Sequence, residues 1–392
     1  MLEIIVNKQK DIKTIALLEN GNLVEQYEEK DDSNRNEGNI FIGTVKDVLP
    51  GMQSAFVDIG TEKNSFIHLK DILPQVDEKK GEKQENKDIK DVVKINDKIL
   101  VQVKKDSNAK KGARVSTHIN LPSKYIVLMP NTEIITVSQK IEDKTERNRL
   151  IDIIKSNLPK GNGAVIRTSA NGKSEEELVK DINYVFSKWK KILETSKKQN
   201  QKKLIYKSEN IVHKMIIDLI DKNLKKIITN SKTEYDEIIA FQKEINSNNE
   251  ITVELKENEN LLDMYDMSNQ IEKTLNRKIW LNCGGFITID KTEALTAIDV
   301  NTGKFTGKKD LEETIYKVNK EATIEIARQL RLRDIGGIII IDYIDMKDEN
   351  KEKIMQLLKE CLNQDRAKTQ IEGFTKLDLM ELTRKHICSH NE

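Results

Sequence analysis

Two apolar, strand-like segments that each end in an aspartate constrain the fold of this chain most strongly. ALTAIDVN carries Asp299 near its end, and GGIIIIDYIDM carries Asp342 directly after four consecutive isoleucines. Four isoleucines in a row predict a buried strand, and the intervening segment predicts one long helix from about Asp310 to Arg333. Because strand–helix–strand units place their strands parallel and usually side by side, we expect both aspartates at one edge of an α/β sheet.

This predicted position of the two carboxylates favours a metal site. Neighbouring strands lie about 4.8 Å apart, and two carboxylates at that spacing repel each other unless a cation lies between them. Mg²⁺ typically takes one or two carboxylates and keeps water ligands for a substrate phosphate. We therefore predict that Asp299 and Asp342 bind Mg²⁺. The alternative for Asp342 is an ordinary turn or cap.

Two polar residues accompany the pair. Asn301 lies two residues after Asp299 and so on the same face of a strand, where its amide could orient a carboxylate or hold a water. The alternative is a turn residue in NTGKFTG. Asp345 is a further acid that we rank below Asp342, since Met346 and Lys347 indicate the start of a turn.

Charge and cysteine content exclude several classes of protein. The net charge is +1, from 66 basic and 65 acidic residues, so bulk charge does not indicate a polyanionic partner. No apolar run approaches the ~20 residues that cross a bilayer, and the first residues lack the layout of a secretory signal, so we expect no membrane association. Three cysteines without a C-x-x-C motif exclude a disulfide framework and a four-cysteine zinc site and fit the cytoplasm.

About five short strand-like runs in the roughly 80 residues from Asn39 predict a small Greek-key barrel. A charged stretch interrupts them, and its middle predicts a solvated loop. Between Lys98 and Lys124 seven basic residues face one acid, Asp106. The basic residues nearest the last strands are Lys104, Lys105, Lys110, Lys111 and Arg114.

Phe56 and Phe66 lie in strand-like runs of the same barrel. Barrels of this type bind single-stranded nucleic acid by stacking bases on aromatic rings beside a basic groove. The alternative is that both phenylalanines belong to the barrel core.

The segment AVIRTSANGKS is a third candidate site. Arg167 and Thr168 end a predicted strand, and an arginine fork and a hydroxyl both suit phosphate. The alternative is a surface arginine beside a helix cap. Ser174 and Glu177 predict a capping box before a helix with a core-facing apolar stripe.

Several segments together resemble the ribonuclease E/G family: AFVDIG, SFIHL, VIRT, GGFITIDKTEALTAIDVNTGKFTG, EIARQLRLRDIGGIIIIDYIDM and DRAKTQ. They occur in the family's order and cover almost the whole chain. The resemblance implies a Mg²⁺-dependent endoribonuclease that cuts single-stranded RNA, prefers a 5′ monophosphate and acts in rRNA and tRNA maturation and mRNA turnover.

The resemblance also implies a multidomain α/β fold. An RNase H-like unit would combine residues 1–36 with 209–275. An S1 domain, an OB-type β-barrel, would span 37–118, and a 5′-sensor would span 119–208. A DNase I-like α/β catalytic domain would follow at 276–392.

The family's functional residues carry over by position. The resemblance implies that Asp299 and Asp342 bind Mg²⁺ with Asn301 in support, that Phe56, Phe66 and Lys111 hold RNA, and that Arg167 and Thr168 hold the 5′ phosphate. We add Lys105 from the basic cluster to the RNA-binding residues.

The chain departs from the family pattern near residue 388. The Cys-Pro-x-Cys motif that joins two subunits through zinc is absent, and Cys388 stands alone between His386 and His390. We therefore expect no zinc, regard a zinc-linked assembly as doubtful and leave a homodimer possible. Because no further domain follows, we expect a chain closer to the short ribonuclease G type.

Two rival functions remain open on the residues alone. A non-catalytic RNA-binding protein would use only its S1 barrel, but a pure binder would not place paired acids beside a polyanion. A DNA nuclease would use the same metal chemistry.

Overall fold

The computed structural model describes residues 1–30, 35–74, 87–107, 111–198, 203–245, 251–274, 276–303 and 311–387. They form two compact units. The discontinuous unit comprises residues 1–32 and 222–390, and the inserted unit comprises residues 33–221 with 391–392. Each unit contains two sheets.

The strands are β1 (Leu2–Gln9), β2 (Ile12–Glu19), β3 (Asn22–Lys30), β4 (Ile40–Leu49), β5 (Ser54–Asp58), β6 (Ser65–His68), β7 (Lys98–Lys105), β8 (Arg114–Ser116), β9 (Leu121–Pro122), β10 (Ile126–Pro130), β11 (Ile135–Val137), β12 (Asn162–Ile166), β13 (Lys203–Tyr206), β14 (Leu224–Thr229), β15 (Thr252–Leu255), β16 (Lys278–Trp280), β17 (Phe286–Lys291), β18 (Leu295–Asn301), β19 (Gly337–Asp342), β20 (Thr369–Phe374) and β21 (Leu379–Arg384).

The α-helices are α1 (Ile89–Val92), α2 (Lys144–Asn157), α3 (Glu175–Lys198), α4 (Ile211–Leu219), α5 (Lys232–Glu244), α6 (Leu261–Met264), α7 (Met267–Thr274), α8 (Leu311–Leu332) and α9 (Asp348–Asn363).

The first sheet of the discontinuous unit joins distant parts of the chain. Its order is β15-β14-β1-β2-β3. The strands β1, β2 and β3 form an antiparallel meander, whereas β1 runs parallel to β14. Asn20 and Gly21 form the β2–β3 turn with φ values of 51° and 82°, as expected for a tight hairpin.

The second sheet of this unit has the order β16-β17-β18-β19-β21-β20. The strands β18 and β19 are parallel neighbours, and α8 connects them. The predicted strand–helix–strand unit is therefore confirmed, although Asp310 lies outside the described residues.

The predicted buried strand is confirmed as β19, but it is buried on one face only. Ile339 and Ile341 are fully buried and pack with α8 and α9. Ile338, in contrast, is 50% exposed. Successive side chains of a strand point to opposite faces, so β19 has one face in the core and one face, ending in Asp342, toward solvent.

A buried ion cluster links β3 to the rest of the discontinuous unit. Glu25 of β3 is fully buried. Its carboxylate accepts hydrogen bonds from Arg366 at 2.7 Å, Arg331 of α8 at 3.3 Å and the Tyr27 hydroxyl at 3.0 Å. Burial alone would raise the pKa of Glu25, but the two guanidinium groups outweigh it and hold that pKa below its usual value.

The inserted unit contains a closed five-strand barrel of β4, β5, β6, β8 and β7, in which β7 pairs back onto β4. This confirms the predicted small barrel. Its core consists mainly of small and branched apolar side chains, including Val45, Val57, Ile67, Val101 and Val115. The predicted solvated loop in the charged stretch falls largely on residues 75–86, outside the described residues.

The other sheet of the inserted unit has the order β11-β12-β10-β9 and packs with α2 and α3. The capping box is confirmed, because the Glu177 backbone N–H donates to Ser174 Oγ at 3.3 Å and the Ser174 N–H donates to the Glu177 carboxylate at 3.0 Å. The apolar stripe of α3 enters the core, with Trp189 only 4% exposed.

Within the described ranges, none of the helices combines the length and apolar character that would let it span a membrane.

Candidate active site

Asp299 of β18 and Asp342 of β19 lie directly opposite each other across the parallel strand pair. Both side chains are exposed and lie on the face opposite the buried Ile298 and Ile341. Strand spacing puts their Cα atoms about 5 Å apart, so the carboxylates meet at one sheet edge as predicted.

Asn301 joins this pair from the end of β18. Its side-chain amide donates a hydrogen bond to the Asp299 carboxylate, which restricts the orientation of that carboxylate.

Negative charge accumulates at this edge. Desolvation at the strand end, together with the charges of Asp299 and Asp345, raises the pKa of the Asp342 carboxyl. Asp345, ranked low from the sequence, is therefore close enough to act on Asp342. A hard divalent cation suits carboxylate and amide oxygens, so these residues fit Mg²⁺.

Metal-binding clusters of three or more such side chains are absent from the described ranges. No group of three or more His, Cys, Asp or Glu side chains gathers there in a metal-binding arrangement, so the fit to Mg²⁺ rests on two carboxylates and water. Of the three residues considered for zinc, Cys388 and His390 lie outside the described residues. His386 Nδ1 lies 2.8 Å from the backbone carbonyl oxygen of Asp334.

A row of aromatic and basic residues crosses the outside of the barrel. Phe56 of β5 pairs with Phe66 of β6, Phe66 with Arg114 of β8, and Arg114 with Lys105 of β7. The two phenylalanine rings stand edge to face, with centroids 6.2 Å apart. We call these four residues the barrel row.

The barrel row lies outside the core. Phe56 and Phe66 are half-buried and alternate with the buried Ala55, Val57 and Ile67. The alternative that both phenylalanines fill the core is therefore wrong, and their rings are accessible to a ligand.

Lys111 is exposed in the loop before β8. That loop is held closely, because a Cβ atom on the neighbouring Gly112 would lie 1.9 Å from the Asn64 carbonyl oxygen. Arg114 is oriented by an ion pair with Asp71 at 2.8 Å. The sequence singled out Arg114 only as one of several basic residues.

Arg167 is half-buried just after β12. Its guanidinium donates to the Ser123 carbonyl at 2.6 Å and forms an ion pair with Asp218. The buried Asp181 in turn accepts from the Ser123 hydroxyl and from the Tyr125 backbone N–H. The guanidinium is thus fixed from two sides rather than free on the surface.

Thr168 follows Arg167 and is exposed. Its hydroxyl oxygen lies 2.9 Å from the hydroxyl oxygen of Ser138, so two hydroxyl groups meet at this position.

Comparison with known proteins identifies the relatives of this chain. Residues 120–387 match the Ribonuclease E/G family. The chain is 40% identical over 390 residues to ribonuclease G of Salmonella typhimurium, which covers 98% of this chain and 79% of that protein. It is 41% identical to ribonuclease G of Haemophilus influenzae, with the same coverage of each chain.

The chain belongs to the ribonuclease E/G family. Ribonuclease E of a Nostoc species is a more distant member, 33% identical over 354 residues that cover 89% of this chain and 51% of that protein. The family match includes the acid pair and Arg167, whereas the barrel row precedes it and is covered by the similarity to the individual ribonucleases.

Sequence reasoning missed Asn319, which holds the segment next to the candidate active site of this ribonuclease E/G family member. Asn319 of α8 is fully buried. Its amide donates to the Ile344 carbonyl at 2.8 Å and accepts from the Ile344 N–H at 3.1 Å, which fixes the segment directly after Asp342. The available signal was a polar residue at a core position of an amphipathic helix.

Proposed function

We propose that this chain is a Mg²⁺-dependent endoribonuclease that cuts single-stranded RNA and favours substrates with a 5′ monophosphate. As a member of the ribonuclease E/G family, the chain is an endoribonuclease that acts in RNA processing. The metal dependence is carried by one observation, the register pairing of Asp299 with Asp342 at adjacent parallel strand ends.

Each residue at the end of β18 and β19 would have its own role in hydrolysis. Asp299 and Asp342 would hold the cation, and the amide of Asn301 keeps the Asp299 carboxylate in place. Bound Mg²⁺ supplies polarisation of the scissile phosphate and a lowered pKa for an attacking water. Hydrolysis adds water across the bond between phosphorus and the 3′ oxygen: the hydroxyl group goes to phosphorus and the proton to the 3′ oxygen, which leaves a 5′ phosphate and a 3′ hydroxyl.

The barrel row supports a preference for single strands. Bases that are not paired can stack on the exposed parts of Phe56 and Phe66, and such stacking contributes roughly 1–3 kcal/mol per base. Lys105, Lys111 and Arg114 offer positive charge to the backbone phosphates on the same barrel.

The contacts of Arg167 support a phosphate pocket at the 5′ end. A planar guanidinium held by Ser123 and Asp218 presents its remaining N–H groups in a fixed direction, which suits a terminal phosphate. The Thr168 hydroxyl adds a neutral donor.

The same proposal covers the domain types of the chain and its RNA substrates. It includes an RNase H-like part in the first sheet, a DNase I-like catalytic domain around the acid pair and action on rRNA and tRNA precursors and mRNA. We place this action in the cytoplasm and include assembly as a homodimer. The parallel pairing of β1 with β14 supports an RNase H-like part divided by an insertion.

The decisive experiment replaces one carboxylate. Asp342→Asn keeps the shape of the side chain but removes a negative charge from the metal site. We expect loss of cleavage of a 5′-monophosphorylated, single-stranded oligoribonucleotide in Mg²⁺ by at least about a hundredfold, while binding in a chelator is retained. Retained binding without cleavage also separates catalysis from the function of a pure RNA-binding protein.

The matched control is Asp236→Asn, which alters an exposed acid of α5 that pairs with Lys232, and it should cleave like the unmodified protein. Unimpaired cleavage by Asp342→Asn would refute the metal site. Digesting RNA and DNA of one sequence in parallel tests the nuclease class, since preference for DNA would contradict the proposal.

A further inference from the structure

An aromatic pair, whose tryptophan is exposed, lies with a lysine at the edge of the sheet that carries the acid pair. Trp280 of β16 is 57% exposed. It is one of two tryptophans in the chain. Its ring stands edge to face with Phe286 of β17, with centroids 5.3 Å apart. Lys278 Nζ lies 4.3 Å from the Trp280 centroid and 3.5 Å from that of Phe286.

Strand register places these three residues on the face of the sheet that carries the acid pair. Lys278 pairs with Thr288, and Thr288 pairs with Asp299. In the adjacent row Trp280 pairs with Phe286, and Phe286 pairs with Asn301. Residues paired across a sheet share a face, so this aromatic cluster (Lys278, Trp280 and Phe286) shares its face with Asp299 and Asn301.

The turn after Asn301 packs directly against the rings. A Cβ atom on Gly303 would lie 3.2 Å from Phe286 Cδ1 and 3.4 Å from Trp280 Cζ3. The cluster therefore packs against the turn that follows Asn301, and this turn has no room for a side chain at position 303.

We propose that the aromatic cluster is a nucleotide subsite that stacks one base of the single-stranded RNA next to the scissile phosphate; this rests on the proposed function. A base can lie against the open face of Trp280, and the ammonium group of Lys278 can meet the phosphate attached to that nucleotide. A stacked base fixes the position of the adjacent phosphodiester, which positions it for attack.

Charge favours RNA over an apolar protein partner on this surface. A docking site for a protein would offer a broad apolar patch. Here two rings stand next to the ammonium group of Lys278. An aromatic ring beside a cation is the arrangement by which proteins bind single-stranded nucleic acid without reading its sequence.

The two tryptophans make a local test possible. Trp189 is in the core of the inserted unit, so a Trp189→Phe variant leaves Trp280 as the only tryptophan. We expect a short single-stranded oligoribonucleotide, added in a chelator so that cleavage cannot occur, to quench the Trp280 emission in a saturable way. Trp280→Ala should weaken binding by roughly 5- to 150-fold, measured by anisotropy of a labelled oligomer, and Trp280→Phe should restore most of it.

The matched control is Leu377→Ala, which removes an apolar side chain that is 81% exposed in the same unit, and it should bind RNA like the unmodified protein. Equal circular dichroism and urea midpoints show that the variants fold. RNA that binds without changing Trp280 emission, while Asp342→Asn still abolishes cleavage, would overturn the subsite and leave the proposed function intact.

Two other results would also overturn the subsite. RNA that does not bind the unmodified protein at all would refute the proposed function as well. Trp280 emission that depends on protein concentration instead of RNA would assign this surface to contact with a second copy.

Discussion

The side chains around Glu209 set the pKa of its carboxyl group. It lies in the inserted unit and accepts hydrogen bonds from Lys188 at 2.7 Å and the Tyr206 hydroxyl at 3.2 Å, with His213 Nδ1 at 3.0 Å. Burial alone would raise the pKa of Glu209, but the hydrogen bond to His213 and the charge of Lys188 lower it to about 2. The ionised form is therefore favoured by folding.

This shift predicts acid sensitivity of the inserted unit. A carboxyl whose pKa is lower in the folded state stabilises the fold fully above its unfolded pKa of about 4.5 and loses that contribution as the pH falls toward 2. We expect Glu209→Gln to lower the free energy of unfolding at pH 7 by at most about 3 kcal/mol. The free energy of unfolding of the variant should also fall less between pH 7 and pH 3.5 than that of the unmodified protein. Urea titration at several pH values measures this.

The exposed Glu194 of the same unit supplies the control, and Glu194→Gln should follow the unmodified protein at every pH. Identical pH profiles for Glu209→Gln and the unmodified protein would show that this cluster does not govern acid stability.

Arg167 allows a second prediction about one side chain. If its fork binds the 5′ phosphate, Arg167→Ala removes charge-assisted hydrogen bonds of about 1.5–3 kcal/mol. We expect the ratio of cleavage rates for 5′-monophosphate over 5′-hydroxyl RNA to fall at least about tenfold. Arg167→Lys should restore only part of this ratio, since lysine keeps the positive charge but lacks the planar guanidinium group.

The 5′-hydroxyl oligomer is the internal control, because its cleavage should hardly change in either variant. No discrimination between the two ends by the unmodified protein would remove the pocket assignment.

Between elements, Glu25 forms a buried polar link in the discontinuous unit. It joins β3 to α8 through Arg331 and to the segment before β20 through Arg366. Both arginines and the glutamate are largely buried, and a buried charge without its partner is costly.

We expect Glu25→Ala to lower the free energy of unfolding by about 3–5 kcal/mol, since it leaves two buried guanidinium groups without their carboxylate. Urea unfolding followed by circular dichroism measures this. Glu28→Ala changes an exposed residue of the same strand and should cost less than about 0.5 kcal/mol. Equal effects of the two substitutions would contradict a structural role for the cluster.

Elements defined by neighbouring residues could be predicted from the sequence. The Asn20-Gly21 hairpin, the Ser174–Glu177 capping box and the connection of β18 to β19 by one helix all depend on local patterns, and the structure contains each of them. The position of the acid pair followed from the same local rule.

Features that depend on long-range packing could not be predicted from the sequence. A run of isoleucines does not reveal that one face of β19 stays open at Ile338. The orientation of Phe56 out of the barrel depends on which face of β5 the core uses. The ion pair of Arg167 with Asp218 joins residues 51 positions apart, and no local pattern connects them.

For the whole molecule, net charge is too small to attract RNA by itself. The chain carries 66 basic and 65 acidic residues, so affinity for a polyanion depends on local groups such as the barrel row. Each phosphate that a protein neutralises on a single strand contributes about −0.7 to the slope of log K against log salt concentration.

We therefore expect Lys105→Ala to reduce the magnitude of that slope by about 0.7. Phe56→Ala should instead weaken binding by roughly 5- to 150-fold without changing the slope, since stacking releases no counterions. Anisotropy titrations of a labelled oligoribonucleotide in a chelator, at several salt concentrations, measure both. An unchanged slope for Lys105→Ala would exclude it from the phosphate contacts.

The parallel pairing of β1 with β14, which aligns Leu2 with Leu224, has a consequence for synthesis of the protein. The β1–β2–β3 meander leaves the ribosome early, but its neighbour on the β1 side is translated only after the whole inserted unit. At roughly 5–20 residues per second, that strand edge waits about ten seconds or longer for its partner. During this interval the edge of β1 is open to pairing with another chain, whereas the five barrel strands follow one another within residues 40–116.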